Sequence, residues 1–357
     1  MKVALVTSLQ RGGPLDHSVT LAGALTRLGV EVAAVCATRD AAERFEAQGA
    51  RPYVVPLRHQ ADAPAAARIA RITRHADVVH AQDRRSGLWT RVVPRGSRAP
   101  RRVYTFHGLP DPYLPAGAGL PGPSMRDRLV YEGLDAALAR RSHAVVVPSR
   151  FMARSIQERL RYPAGRIVVI PNGVDPGPAA AGRGGLVGTV SVLEPVKALD
   201  VFVHAASELA SAHPEIEFAC FGEGRSRPAL AALAASAGLD GRLALPGQVP
   251  LGEALGQLRV FVLCSWMENS PMALMQAMAA GVPAVATAVG GVPEIAAGVA
   301  ELVPPGDPSA LAAAVRRLLE DEGRAAELSA AGRARILERF TAERNARDHL
   351  GLYERLR

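Results

Sequence analysis

The sequence predicts an α/β protein built from two doubly wound parallel-sheet domains. Three observations lead there. At 357 residues the chain is long for one domain and suits two of about 170 residues each. Short apolar runs of strand length alternate with helical patterns, as in βα units feeding a parallel sheet. Near the middle, residues 176–185 are nearly all Pro, Gly and Ala, the composition of a surface linker, and the alternation restarts after them.

In the first half, residues 3–7 form a strand, followed by Gln10-Arg11-Gly12-Gly13 and a helical pattern over 15–28 that Gly29 ends. Strand, Gly-rich loop and helix N-terminus together let a phosphate or sugar approach the backbone at Gly12 and Gly13. The spacing is not GxGxxG, which argues against a nicotinamide enzyme. Residues 30–37 and 53–56 are strands, 64–75 a helix and 77–80 a strand. An Arg-rich run, 84–102, leads into a strand at 103–106 that ends in His107-Gly108, where open α/β sheets bind ligands. Residues 109–124, dense in Pro and Gly, read as a functional loop or lid. A helix over 125–141, strands at 144–147 and 167–170, and Pro171-Asn172-Gly173-Val174-Asp175 close the first domain.

The second half opens with a strand at 186–192, then Glu194-Pro195-Val196-Lys197-Ala198. Strands at 216–221 and 243–246 end in Gly222-Glu223-Gly224 and Gly247-Gln248-Val249. A strand at 260–264 precedes Glu268 and a helix with both ends marked: Ser270 as N-cap, Pro271 at the first helical position, Gly281 past the end and Pro283 beyond it. Its first N–H groups, near Met272 and Ala273, make an anion site, and Glu268 beside it suits an uncharged polyol. Helices over 308–320, 323–340 and 342–356 follow.

Composition narrows the classes of function. Hydrophobic content is 48%, ample for two cores, and no apolar run reaches the ~18–20 residues that span a bilayer. The opening MKVALVTSLQ reads as a strand, not a leader. Cys36, Cys220 and Cys264 lie in apolar runs without metal-ligand spacing, so buried thiols in a reducing cytoplasm are expected. Net charge is +8, unevenly spread: residues 1–172 carry 26 basic against 13 acidic residues, residues 173–357 carry 16 against 21. A basic half suits nucleic acid, a membrane face or an acidic small molecule. With aromatics at 4%, stacking platforms are scarce, and nucleic acid is the weakest of the three. Lysine occurs only at Lys2 and Lys197, which singles out Lys197 in an Arg-biased chain.

Glu268, seven intervening residues, Gln276, then Ala277-Met278-Ala279-Ala280-Gly281-Val282-Pro283 and Gly290-Gly291 resemble the donor-site signature of retaining GT-B glycosyltransferases of family 4. The Tyr-Thr-Phe-His-Gly run ending at Gly108 and the pentad 171–175 are similar to the same family. The resemblance implies two Rossmann-like domains facing across a cleft: residues 1–172 on the acceptor side, 173–340 binding a nucleotide-diphosphate sugar, and a terminal helix, 341–357, crossing back to the first. It implies Lys197 at the donor diphosphate, Glu268 at the sugar hydroxyls, Gln276 at the ribose and His107 facing the sugar. Gly222, Gly224, Gly247 and Gln248 would line the base, with Ser270, Pro271, Met272 and Ala273 at the phosphates. Gly12 and Gly13 would contact the donor.

Two departures stand out. The family carries Glu where this chain has Gln276, and Arg where it has Val192, so one diphosphate cation is missing, with Arg225 as a candidate replacement. An amide still accepts and donates, so Gln276 reads as a variant. No Asp-x-Asp triad or metal-spaced cluster occurs, and neither metal nor cofactor is expected. The implied reaction is retaining transfer to an acceptor hydroxyl, with the departing phosphate taking the proton. The acceptor is expected to be anionic or membrane-presented, drawn by Arg84, Arg85, Arg91, Arg95, Arg98, Arg101 and Arg102, which would place a cytoplasmic protein at the inner membrane face. Two alternatives remain open, a degenerate relative that binds without catalysing and a GT-B-fold epimerase.

Overall fold

A computed structural model describes residues 1–57, 62–92, 99–110, 113–114, 122–177 and 184–357. It divides into two compact units: Met1–Tyr113, Pro123–Asp175 and Phe340–Arg357 in one, Leu114–Gly122 and Pro176–Arg339 in the other. Most of the loop read as a lid (111–112 and 115–121) and most of the linker (178–183) lie outside the described residues.

The first unit holds a seven-stranded, all-parallel sheet: β1 (Lys2–Val6), β2 (Glu31–Cys36), β3 (Arg51–Val54), β4 (Val78–Ala81), β5 (Arg101–Thr105), β6 (Ala144–Val147) and β7 (Ile167–Val169), ordered β3-β2-β1-β4-β5-β6-β7. The second repeats the plan with six: β8 (Leu186–Val190), β9 (Phe218–Phe221), β10 (Leu243–Gly247), β11 (Leu258–Leu263), β12 (Ala284–Thr287) and β13 (Glu301–Val303), ordered β10-β9-β8-β11-β12-β13. In both sheets the order reverses after the first strand, between β1 and β4 and between β8 and β11. At such a switch point the connections leave to opposite sides and open a crevice at the carboxyl ends. The two-domain α/β reading therefore holds. Central strands such as β4, β6, β9 and β12 are buried along their whole length, as sheets covered on both faces require. Cys36, Cys220 and Cys264 are free and buried.

The helix Ala342–Leu356 belongs to the first unit, where Ala346, Leu352 and Tyr353 join the core beneath the helix Gly13–Arg27. Its entry is pinned by a short parallel bridge, with Val174 N–H donating to Phe340 C=O at 2.9 Å and Ala342 N–H to Val174 C=O at 2.9 Å. Gly173 makes the approach possible, since a Cβ there would stand 2.4 Å from the Thr341 carbonyl oxygen. No described helix is long and apolar enough to cross a membrane.

The Arg-rich run is not the solvated face that its composition suggests. Residues Arg84–Val92 are a helix, and Arg91 is 1% exposed. Its guanidinium donates to the Asp135 carboxylate at 2.6 Å and lies 4.5 Å from the centre of the Tyr104 ring. Arg84 pairs with the same carboxylate at 3.4 Å, Arg85 donates to the Leu57 carbonyl, and the buried Arg102 donates to the Arg91 carbonyl. Four of the seven arginines are thus structural. Arg95 and Arg98 lie outside the described residues. Removing one partner of a buried pair strands a charge, which costs about 3–5 kcal/mol. Asp135→Ala should lower the unfolding free energy of the first unit by about that much in urea titrations. A loss under about 1 kcal/mol would mean the pair is solvated in solution.

Candidate functional site

In the second unit, the loops that leave β8 and β11 flank the switch point and carry Lys197 and Glu268. Their side chains meet: Lys197 Nζ lies 2.6 Å from Glu268 Oε1, with the two side chains 20% and 11% exposed. The Ser265 hydroxyl donates to the same oxygen at 2.8 Å. Lys197 ends a 3-10 turn, Pro195–Lys197, and the next residue, Ala198, takes a left-handed conformation at φ 48° that starts the helix Leu199–Ala212. Two bonds tie the loops together. Trp266 N–H donates to Val196 C=O at 2.9 Å, and the Cys264 thiol donates to Lys197 C=O at 3.2 Å.

Glu268 is held from behind by the glycine pair. Gly291 N–H donates to the Glu268 carbonyl at 2.9 Å, and a Cβ on Gly290, at φ 54°, would stand 1.9 Å from that carbonyl oxygen. The pair is a packing requirement of the Glu268 loop.

The helix that follows runs Met272–Ala279. Ser270 does not cap it, and Pro271 is not its first helical residue. Pro271 itself is the N-cap, extended at ψ 106°, and makes no side-chain capping bond to the first N–H groups. Those of Met272, Ala273 and Leu274 thus remain a donor set. The C-terminal reading holds: Gly281 has φ 77°, and the bonds from Gly281 N to Met278 O and Val282 N to Ala277 O form a Schellman motif. Ala273 and Gln276, three apart, share the partly exposed face of an otherwise buried helix.

Gly222 and Gly247 are joined at their strand ends, Gly222 N–H donating to Gly247 C=O at 2.7 Å. Both have positive φ, and a Cβ on Gly222 or Gly224 would collide with the carbonyl oxygen of Ser191 or Leu193, at 1.9 and 2.3 Å. Gln248 is exposed beside them. Arg225 comes to the loop where Val192 stands, its Nε 2.7 Å from the Glu194 carboxylate. The structure thus gathers Lys197, Glu268, the glycine strand ends and the helix start on the carboxyl side of one sheet.

In the first unit, Gly12 (φ 94°) is the N-cap of the helix Gly13–Arg27 and accepts from the N–H groups of Leu15 and Asp16. Asp83, after β4, binds the Ser8 amide at 2.6 Å and its hydroxyl at 2.7 Å, tying down the loop after β1. His107 meets the buried Gln82, Nε2 to Oε1 at 3.1 Å. The sequence reading missed its neighbours. His17, His80 and His349 form a buried cluster with it, His17–His107 ring centres lying 5.2 Å apart, His17–His349 6.1 Å and His80–His349 5.4 Å. His80 is bonded through both ring nitrogens, to the Tyr353 hydroxyl and to Thr105 Oγ1, each at 2.6 Å. Positions 17, 80, 107 and 349 share no local motif, and only the strand order brings them together. Among the described residues, no three His, Cys, Asp or Glu side chains are placed to hold a metal ion.

Comparison with known proteins gives the family and the fold. The profile described as Glycosyltransferase Family 4 matches residues 11–177, and that of Glycosyl transferases group 1 matches 184–321. The chain belongs to the GT-B glycosyltransferases of family 4. It is similar to a D-inositol 3-phosphate glycosyltransferase of Salinispora tropica, 35% identical over 189 residues, 48% of this chain and 38% of that one. It is also similar to a 2-deoxystreptamine glucosyltransferase of Streptomyces kanamyceticus, 30% identical over 211 residues, 53% of this chain and 54% of that one. The chain thus spans about half the length, or less, of these relatives. Among solved structures, Anabaena HepE in complex with UDP-glucose superposes with a TM-score of 0.84 at 17% identity, covering 99% of this chain and 100% of that one. A sucrose-phosphate synthase of Thermosynechococcus elongatus gives 0.80 at 20%, covering 99% and 98%.

The imidazole cluster should make the first unit acid-sensitive. Burial, then the neighbouring imidazoles, keeps His17 and His80 well below the ordinary histidine range. Burial and then His349 bring His107 down to about 3, and burial lowers His349 to about 4. In the unfolded chain each titrates near about 6.5, so below that pH the unfolded state binds protons that the fold excludes. Stability is then complete above about pH 6.5 and falls toward pH 4 by up to about 1.4 kcal/mol per ring per pH unit. Melting followed from pH 7 to 4.5 should show this steep loss, with His349→Gln flattening it. A level profile would mean that the rings are protonated normally in the fold.

Proposed function

We propose that the chain is a retaining glycosyltransferase that moves a sugar from a nucleotide-diphosphate sugar to an acceptor hydroxyl without a metal. The observation that carries this is the Lys197–Glu268 contact beside an uncapped helix start at a switch point. An ammonium has three N–H donors. Lys197 can keep Glu268 and still donate to diphosphate oxygens, joined by the N–H groups of Met272 to Leu274. Lys197 and Ser265 both bond Oε1 of Glu268, which leaves Oε2 to accept a sugar hydroxyl. Gln276 offers its amide to the ribose, and Gly222, Gly224, Gly247 and Gln248 receive the base. His107, neutral at physiological pH, would face the sugar without adding charge, as the family resemblance implies.

In the reaction the bond from the anomeric carbon to the diphosphate oxygen breaks, and the acceptor oxygen bonds the same carbon on the same face. The acceptor's proton passes to the departing phosphate, and Lys197 with the helix N–H groups stabilises the charge that develops there. No side-chain base is assigned. Relatives named for D-inositol 3-phosphate and 2-deoxystreptamine, and neighbours solved with UDP and UDP-glucose, support a nucleotide sugar and a polyol acceptor.

Val192 and Gln276 favour, in their turn, a relative that binds the donor without transferring it. One assay separates the two: incubation with a panel of nucleotide sugars, products read by mass spectrometry. Transfer or slow donor hydrolysis is expected, and binding without turnover of any donor would select the second reading. Lys197→Ala should lower kcat/KM by about 10²–10³, the effect of losing a charge-stabilising donor. Activity within threefold of the parent would remove Lys197 from the role. Glu268→Gln should abolish most transfer yet keep affinity for the free nucleoside diphosphate, measured by calorimetry. Lost affinity there would move Glu268 from the sugar to the nucleotide.

A further inference from the structure

Residues 124–135 of the first unit turn large apolar side chains outward, before the turn that follows buries Ala136, Leu138 and Ala139 in the ordinary way. Ser124 and Asp127 form a capping box around the turn Met125–Asp127. The chain then passes into a π-helical stretch, Arg128–Asp135, and ends in the turn Ala136–Ala139. An ordinary surface helix buries its apolar stripe and exposes its charges. Here the inner face carries an acid: Asp135 is buried on Arg91 and Arg84, and Arg84 lies 4.2 Å over the Tyr131 ring. The outer face carries Met125, Leu129 and Leu134, which are 82%, 72% and 52% exposed.

The π-helical stretch creates that stripe. Leu129 and Leu134 are five apart, and at 3.6 residues per turn they would point about 140° away from each other. Bonding from i to i+5 widens the turn and brings the fifth residue round toward the first. The same widening turns Asp135, next to Leu134, into the protein. Met125 and Leu129, four apart, extend the stripe. Apart from these three, the large apolar side chains exposed among the described residues are Val169 and Leu337, which stand singly. Single exposed apolar residues are ordinary, whereas a contiguous group marks a contact surface.

The charges around the stripe choose its occupant. Arg126, Arg128 and Arg140 are exposed along the same segment. Its acids are turned to partners: Asp127 accepts from Ser124, Glu132 accepts from the Tyr113 hydroxyl at 3.1 Å, and Asp135 is buried. Apolar side chains among arginines suit a bilayer with anionic headgroups, where the first enter the acyl boundary and the second stay at the phosphates. A second copy of this chain would set arginine against arginine. We propose that Met125, Leu129 and Leu134, with Arg126, Arg128 and Arg140, dock the first unit on an anionic lipid surface. The arginines concerned are not those of residues 84–102, which the fold largely consumes.

The test is co-sedimentation of the full chain with phosphatidylglycerol-containing and pure phosphatidylcholine vesicles, without donor or acceptor. The parent should partition onto the anionic vesicles, and less so as salt is raised. Met125→Asp combined with Leu129→Asp should lower that partition about tenfold or more, since buried methylenes supply much of such binding. Nucleotide-sugar hydrolysis should be unchanged, because neither residue belongs to the donor site. Leu129→Trp should bind at least as well as the parent, with its fluorescence shifting to the blue on anionic vesicles alone. Equal binding to both vesicles, an Asp double variant that sediments like the parent, or a concentration-dependent dimer abolished by the double variant would each overturn the proposal.

Discussion

A lysine ammonium and a glutamate carboxylate 2.6 Å apart, both largely withdrawn from water, set the terms for the second unit. Either charge alone in that position would be costly, because partly buried ions persist only when paired and hydrogen-bonded. The two residues lie 71 positions apart, on loops that leave different strands. They can meet only if β8 and β11 are neighbours, and the reversal in strand order makes them so. Once they meet, the surrounding backbone has little freedom. The Cys264 thiol and the Trp266 amide tie one loop to the other, and Gly290 must lack a side chain for Glu268 to sit where it does.

The first unit uses the same strand plan for different chemistry. Its loops after β1 and β4 are joined by Asp83 and Ser8, and behind them stands a group of buried imidazoles instead of an ion pair. Burial keeps those rings neutral, so they act through fixed hydrogen bonds: His80 to Tyr353 and Thr105, His107 to Gln82, His349 to the Asn345 carbonyl. One sheet thus presents preset charge and the other preset neutral dipoles.

The sequence made legible whatever depends on local spacing. Lys197 stood out by its rarity, the Gly281 terminus by its chemistry, and the alternation of elements by period. What escaped depends on distant partners. The arginines of residues 84–102 looked like a charged face, because nothing nearby announces that Asp135, 44 residues beyond Arg91, will bury one of them. The histidine cluster draws on four elements from both ends of the chain. The π-helical stretch is hidden for another reason: residues 125–141 match a helical period well enough to read as an ordinary helix. The start of the helix Met272–Ala279 was misplaced by one residue, since Pro271 suits N1 and N-cap alike and its extended ψ is set by the loop before it.

Val192 and Gln276 can be weighed against this geometry. With Val192 where the family pattern has Arg, Lys197 is the cation in direct reach of Glu268, in a half of the chain where acids outnumber bases, 21 to 16. The diphosphate of the proposed donor would meet unfavourable long-range charge there, which water and salt screen within about a Debye length, ~8–10 Å. At contact the balance differs. The Glu268 carboxylate holds the ammonium in place before any ligand arrives, so little side-chain freedom is lost on binding. The uncapped N–H groups at the start of Met272–Ala279 supply positive potential that carries no titratable group. Arg225 reaches the same loop as Val192 through its ion pair with Glu194, at 2.7 Å. Gln276, by removing one negative charge from the same helix, shifts the local balance in the direction that losing an arginine requires. The two departures therefore compensate each other in charge.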